Sequence, residues 1–110
     1  MFFKSKIRAV AEAVGTEISF PRNQEALIQQ AREAKPRLII VDLHNQKIEP
    51  ATLATELKAD NELRAIPLLG FFSHVQTELQ KTALSAGFDQ VIPRSVFARD
   101  LQKILAADER

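Results

Sequence analysis

Residues 37–43, RLIIVDL, constrain the fold more than any other stretch. Leu38, Ile39, Ile40 and Val41 follow one another without a polar break, so a strand built from them has no face to give to water. A strand with one wet face alternates apolar and polar residues. A continuously apolar strand belongs in a parallel sheet with helices on both faces. The run ends on a carboxylate, Asp42, and the polar residues His44 and Asn45 follow.

The rest of the chain supplies the alternation such a sheet needs. Phe3, Ile7, Val10 and Val14 recur at helical spacing, and Gly15 follows as a stop. TEISF, 16–20, alternates Ile18 and Phe20 with polar neighbours and reads as a short strand. Asn23 is a candidate N-cap for QEALIQQAREA, 24–34, with Leu27, Ala31 and Ala34 as its inner stripe and Pro36 beyond its end. Pro50 suits the first turn of PATLATELKAD, which turns Leu53 and Leu57 inward. IPLLGFF, 66–72, is the next buried strand; QTELQKTALSA, 76–86, is a helix stopped by Gly87; DQVIP, 89–93, is the last strand. Ser95 can cap a final helix that buries Phe97, Leu101, Ile104 and Leu105. The expected order is α-β-α-β-α-β-α-β-α, an α/β fold with a parallel sheet of four strands and helices on both faces.

Bulk properties narrow the function classes. The 110 residues make one domain, 1–110, large enough to bury a core without staples. The absence of cysteine removes disulfides, thiolate nucleophiles and Cys-based zinc sites, and fits a cytoplasmic setting. No apolar run reaches the ~20 residues of a membrane span, and the first residues lack a signal peptide's cleavage site. Fifteen basic and fourteen acidic side chains nearly cancel, so nucleic acid is not an expected partner. Lys4, Lys6 and Arg8 read as a solvated helix face.

Open parallel sheets place their sites outside the carboxyl ends of the strands. That rim carries Asp42, His44 and Asn45, then Ser73 and His74, then Arg94 and Ser95. Asp42, His44 and His74 have atoms that bind metal but no diagnostic spacing, and no metal site is assigned. A Ser73–His74–Asp42 triad is weaker, because adjacent Ser and His on a loop rarely face each other. Ser73 heads SHVQ, a capping box, and Phe71 and Phe72 read as core. Gly15, Gly70 and Gly87 are isolated, so no glycine-rich nucleotide loop is present.

Three stretches together resemble the receiver domains of response regulators. KPRLIIVDL resembles their third strand, LRAIPLLGFFSH their fourth, and ALSAGFDQVIPRS their Ala-Gly turn and fifth strand. The resemblance implies a flavodoxin-like fold and a signalling module of two-component type, not an enzyme. Its partners would be a histidine kinase or a downstream effector. Asp42 falls on the phosphoacceptor position, and Ser73 and Arg94 are candidates for contacting the phosphoryl group. The family's chemistry is attack of the aspartate on a phosphohistidine, with Mg²⁺ neutralising the charge between acceptor and phosphoryl oxygens.

The departures are specific. Phe72 stands at the switch Ser/Thr position, Arg94 replaces the lysine closing the fifth strand, and Ser95 replaces the following proline. The first strand, with the acidic pair that holds Mg²⁺, has no counterpart, so the receiver is N-terminally incomplete as given. No cofactor is expected unless an upstream acidic pair exists to hold Mg²⁺. The reading is a degenerate receiver acting through protein contacts. A phosphoacceptor receiver whose first strand lies upstream is the first alternative, and a small α/β metal-binding protein or enzyme the second. Without the central first strand of the order 2-1-3-4-5, TEISF can pair directly with RLIIVDL, upstream residues can supply the strand, or a second molecule can cover the open edge as a homodimer.

Overall fold

The computed structural model describes residues 2–45, 48–73 and 77–106. The elements are α1 (Phe2–Val14), α2 (Gln24–Ala34), β1 (Ile39–Asp42), α3 (Pro50–Ala59), β2 (Leu68–Phe72), α4 (Thr77–Ala86), β3 (Gln90–Pro93), α5 (Arg94–Arg99) and α6 (Leu101–Leu105). The three strands form a parallel sheet in the order β1-β2-β3. Ile40 lies level with Leu69, Asp42 with Phe71, and Phe72 with Pro93.

The alternation of side chains divides the core into two layers, one on each side of the sheet. Ile39, Val41, Leu68 and Phe72 pack with Leu27 and Ala31 of α2, Leu53 and Leu57 of α3, and Ala83 of α4. Ile40, Leu69 and Phe71 pack with Ile7 and Ala11 of α1, Phe97 of α5, and Leu101 and Leu105 of α6. All five residues of β2 are buried, as befits the central strand. Gly70 lies in that strand because a Cβ there would stand 2.9 Å from Leu43 Cδ2 and 3.1 Å from Phe88 ring atoms.

Most local signals act as read. Asn23 Oδ1 accepts the Ala26 amide at 2.8 Å, the first-turn capping bond. Pro50 opens α3, and Gly87 ends α4 with φ at 132°. Phe71 and Phe72 are core residues, 5% and 6% exposed. In α2 the inner stripe is Leu27, Ala31 and half-buried Ile28, while Ala34 is exposed. Phe3's side chain and Gln76, the second half of the expected capping box, lie outside the described residues.

Three expectations fail. TEISF forms no strand and joins no ladder, so among the described residues the sheet has three strands rather than four. Its pattern specifies which way each residue faces, and Ile18 and Phe20 do pack into the α1 layer. Alternation cannot say whether a neighbouring strand lies within hydrogen-bonding distance. Ser95 is not a cap: α5 starts at Arg94, directly after Pro93, and no side chain caps it. The expected single final helix is two, parted at Asp100, where φ is −100° and ψ 13°.

Lys58 ties the amino edge together. Its Nζ donates to the Arg64 and Ile66 carbonyls at 3.2 and 3.3 Å and to Asp89 Oδ2 at 3.1 Å. The same Asp89 oxygen accepts the Leu68 amide at 2.8 Å, so α3 is joined to the starts of β2 and β3.

Candidate functional site

The carboxyl rim of the sheet is formed by Asp42, which closes β1, and Leu43 after it, Ser73 after β2, and Arg94 after β3. Leu43 continues the ladder through its amide bond to the Phe71 carbonyl at 2.9 Å. Beyond it the chain turns sharply. The His44 amide donates to Asp42 Oδ1 at 2.9 Å, and the Asn45 amide donates to the Asp42 carbonyl at 3.0 Å. This is an Asx-type turn, in which a short carboxylate side chain takes the place of a backbone acceptor. It orients one carboxylate oxygen toward the backbone while Asp42 stays half-buried at the rim.

Strand order sets the spacing. With β2 between them, the ends of β1 and β3 are two strand spacings apart, about 10 Å at the backbone. Ser73 and Arg94 are both exposed, on the central and far strands, so the three candidates line one edge. Phe72 points the other way, into the layer that holds Ala83 and Phe88. Its neighbour Phe71 enters the opposite layer and stacks on Phe97, with ring centroids 4.6 Å apart and planes 6° apart. Phe72 therefore places a buried ring with no polar atom at the end of β2.

Asp42 is the one carboxylate that the described strand ends contribute to the rim, and no group of three His, Cys, Asp or Glu residues is poised to hold a metal among the described residues. Mg²⁺ requires a near-octahedral oxygen shell, usually one or two carboxylates completed by phosphate and water. His44 is half-buried beside Asp42, but His74, the third member of the imagined metal trio and of the triad, lies outside the described residues. An open groove of about 510 Å³ lies elsewhere, between α2 and α3, lined by Gln24, Ile28, Arg32 and Glu56 among others. Lys58, which sequence reading passed over, belongs to the opposite edge. Nothing in its local sequence marks it, since its acceptors come from three later points in the chain.

No family model matches the sequence, and no curated protein matches it significantly. Solved structures do. The chain is similar to the signal receiver domain of a signal transduction histidine kinase from Syntrophus aciditrophicus, with a TM-score of 0.77 and 21% identity over 99% of this chain and 86% of that one. It is similar to the phosphorylated cyanobacterial phytochrome response regulator RcpA, with a TM-score of 0.72 and 22% identity over 96% and 84% of the two chains. It also resembles the Mn²⁺-bound form of another response regulator, with a TM-score of 0.70 and 18% identity over 94% and 86%. Three parallel strands in sequential order, helices in two layers and an aspartate closing the first described strand are the fold of a response-regulator receiver domain.

Proposed function

We propose that the chain is a signalling module of the two-component receiver type that acts by protein contact and does not take a phosphoryl group by the Mg²⁺-dependent route. The observation that carries this reading is the composition of the rim: Asp42, which closes β1 and which the resemblance makes the acceptor, has no second carboxylate beside it among the described strand ends. Phosphoryl transfer to a carboxylate brings negative charges together, and the metal is what neutralises them. Arg94 would supply fixed positive charge, but a guanidinium does not replace a metal that bridges both partners' oxygens. Phe72 adds to the case, because a buried ring cannot hydrogen-bond a phosphoryl oxygen. The partner is a histidine kinase or an effector that recognises the folded domain.

The test is incubation with acetyl phosphate and Mg²⁺, followed by intact-mass measurement. The expected result is an unmodified chain. A phosphoryl adduct that disappears in Asp42→Asn would overturn the reading in favour of a working phosphoacceptor. That second reading is supported by the placement of Asp42 itself and by the phosphorylated and Mn²⁺-bound states of two similar structures.

A further inference from the structure

The basic residues near the start of the chain are more than a solvated helix face. Lys4 and Arg8 stand one turn apart on α1, which sets their side chains next to each other. Both reach over one ring: Lys4 Nζ is 5.3 Å and Arg8 Cζ 5.0 Å from the centroid of Phe20. The face of an aromatic ring attracts a cation, but two like charges at this helical spacing repel each other. A carboxylate between them would relieve that repulsion. Among the described residues none does so, for no ion pair joins Lys4 or Arg8 to an acidic side chain. Both cations are exposed, and Phe20 is half-buried beneath them. Arg22, exposed and two residues beyond Phe20, adds a third positive charge.

The patch stands on the same side of the sheet as Asp42. Phe20 lies just ahead of α2, whose first residue, Gln24, accepts the Glu49 amide through Oε1 at 3.1 Å. Glu49 directly precedes α3, on the connection that leaves β1 after Asp42. The starts of α2 and α3 therefore meet on the carboxyl side of the sheet, and Phe20 with its two cations belongs to that side.

We propose that Lys4, Arg8 and the Phe20 ring form a docking point for an acidic segment of a protein partner. This rests on the reading that the chain acts by protein contact, and it names the surface used. The ring holds both cations in place beforehand, so less side-chain freedom is lost when a partner binds. Carboxylates of the partner then bridge the pair, accepting from the arginine fork on one side and the ammonium on the other. The overall charge favours a protein over a nucleic acid. At a net charge of +1 the chain has no extended positive field for a phosphate backbone, only this local one. A partner seated there meets the chain at the edge where Asp42 stands.

Titration of capped hexaglutamate into the isotope-labelled wild-type chain, followed by NMR at low ionic strength, tests the docking point without any phosphoryl chemistry. The expected result is a set of shift changes centred on Lys4, Arg8 and the Phe20 ring. Affinity is expected to fall about fivefold in Lys4→Gln/Arg8→Gln and to stay within about twofold in Lys6→Gln/Lys81→Gln, which removes the same charge elsewhere. Lys6 and Lys81 are both exposed, so neither double variant disturbs the core. Phe20→Leu, which keeps an apolar side chain but removes the ring face, is expected to weaken binding as well. Three results overturn the proposal: no shift at Lys4 and Arg8, an equal loss in both double variants, or tighter binding of a short oligothymidylate of the same charge. None of them alters the outcome with acetyl phosphate, so the two readings fail separately.

Discussion

Asp42 can act through its turn bond or through its charge, and the two are separable. The turn needs only an acceptor oxygen for the His44 amide, and an asparagine oxygen supplies it. Asp42→Asn is therefore expected to keep stability within about 0.5 kcal/mol of wild type, whereas Asp42→Ala loses the bond at a cost of roughly 1 kcal/mol. Urea denaturation of the pair separates the roles, and equal loss in both would mean that charge, not the turn, is what Asp42 contributes. At the surface, Asp100 has its pKa held below the ordinary carboxylate value, chiefly by the hydrogen bond from Arg99; desolvation opposes this, and the positive charges of Arg99 and Lys103 add smaller downward effects. A lowered carboxylate pKa gives stability that is present above the unfolded value and lost as pH falls through the folded one. Both partners are solvent-exposed, so the contribution to folding is small. The expected observation is local: an NMR titration midpoint for Asp100 below the ordinary range, moving up in Arg99→Gln. An unmoved midpoint would exclude the side-chain bond.

Helix starts decide the next scale. Asn23 and Ser95 look alike in sequence, each a small polar residue ahead of an apolar stripe, but only Asn23 caps. Asn23 is extended, with φ at −155°, which lets its side chain reach back to the Ala26 amide. Ser95 is already inside α5, because the chain leaves β3 through Pro93 and turns helical at Arg94. Asn23→Ala is thus expected to cost about 1 kcal/mol. Ser95→Ala should stay within about 0.5 kcal/mol of wild type, as surface substitutions away from caps do. Thermal or urea melts of the two variants measure this, and a comparable loss at Ser95 would return it to the capping role. The same stretch shows why element boundaries were less legible than element types: the capping preference of a residue is local, but the point at which a strand stops depends on where its neighbour's ladder ends.

For the whole molecule, Lys58 ties α3 to the amino edge of the sheet. Replacing its ammonium removes a donor shared by two backbone carbonyls and the Asp89 carboxylate. Since the Lys58 side chain is about one-quarter exposed, water compensates in part. Lys58→Met keeps the stem and is expected to lose about 1–2 kcal/mol in a urea melt. A neutral outcome would show that the sheet needs no such tie. What the sequence determined by itself was the character of each segment: the helical stripes, the two-faced apolar strands, the parallel sheet that follows from them, and the rim where Asp42 stands. Those are properties of near neighbours along the chain, repeated every two or every three to four residues. Only the tertiary structure decided that Phe71 stacks on Phe97, that Lys58 meets Asp89, and that residues 16–20 turn their side chains to the layers without a strand's partner. Each of these depends on distant segments meeting across the sheet, and a periodic pattern contains a direction for every side chain but no distance to its neighbour.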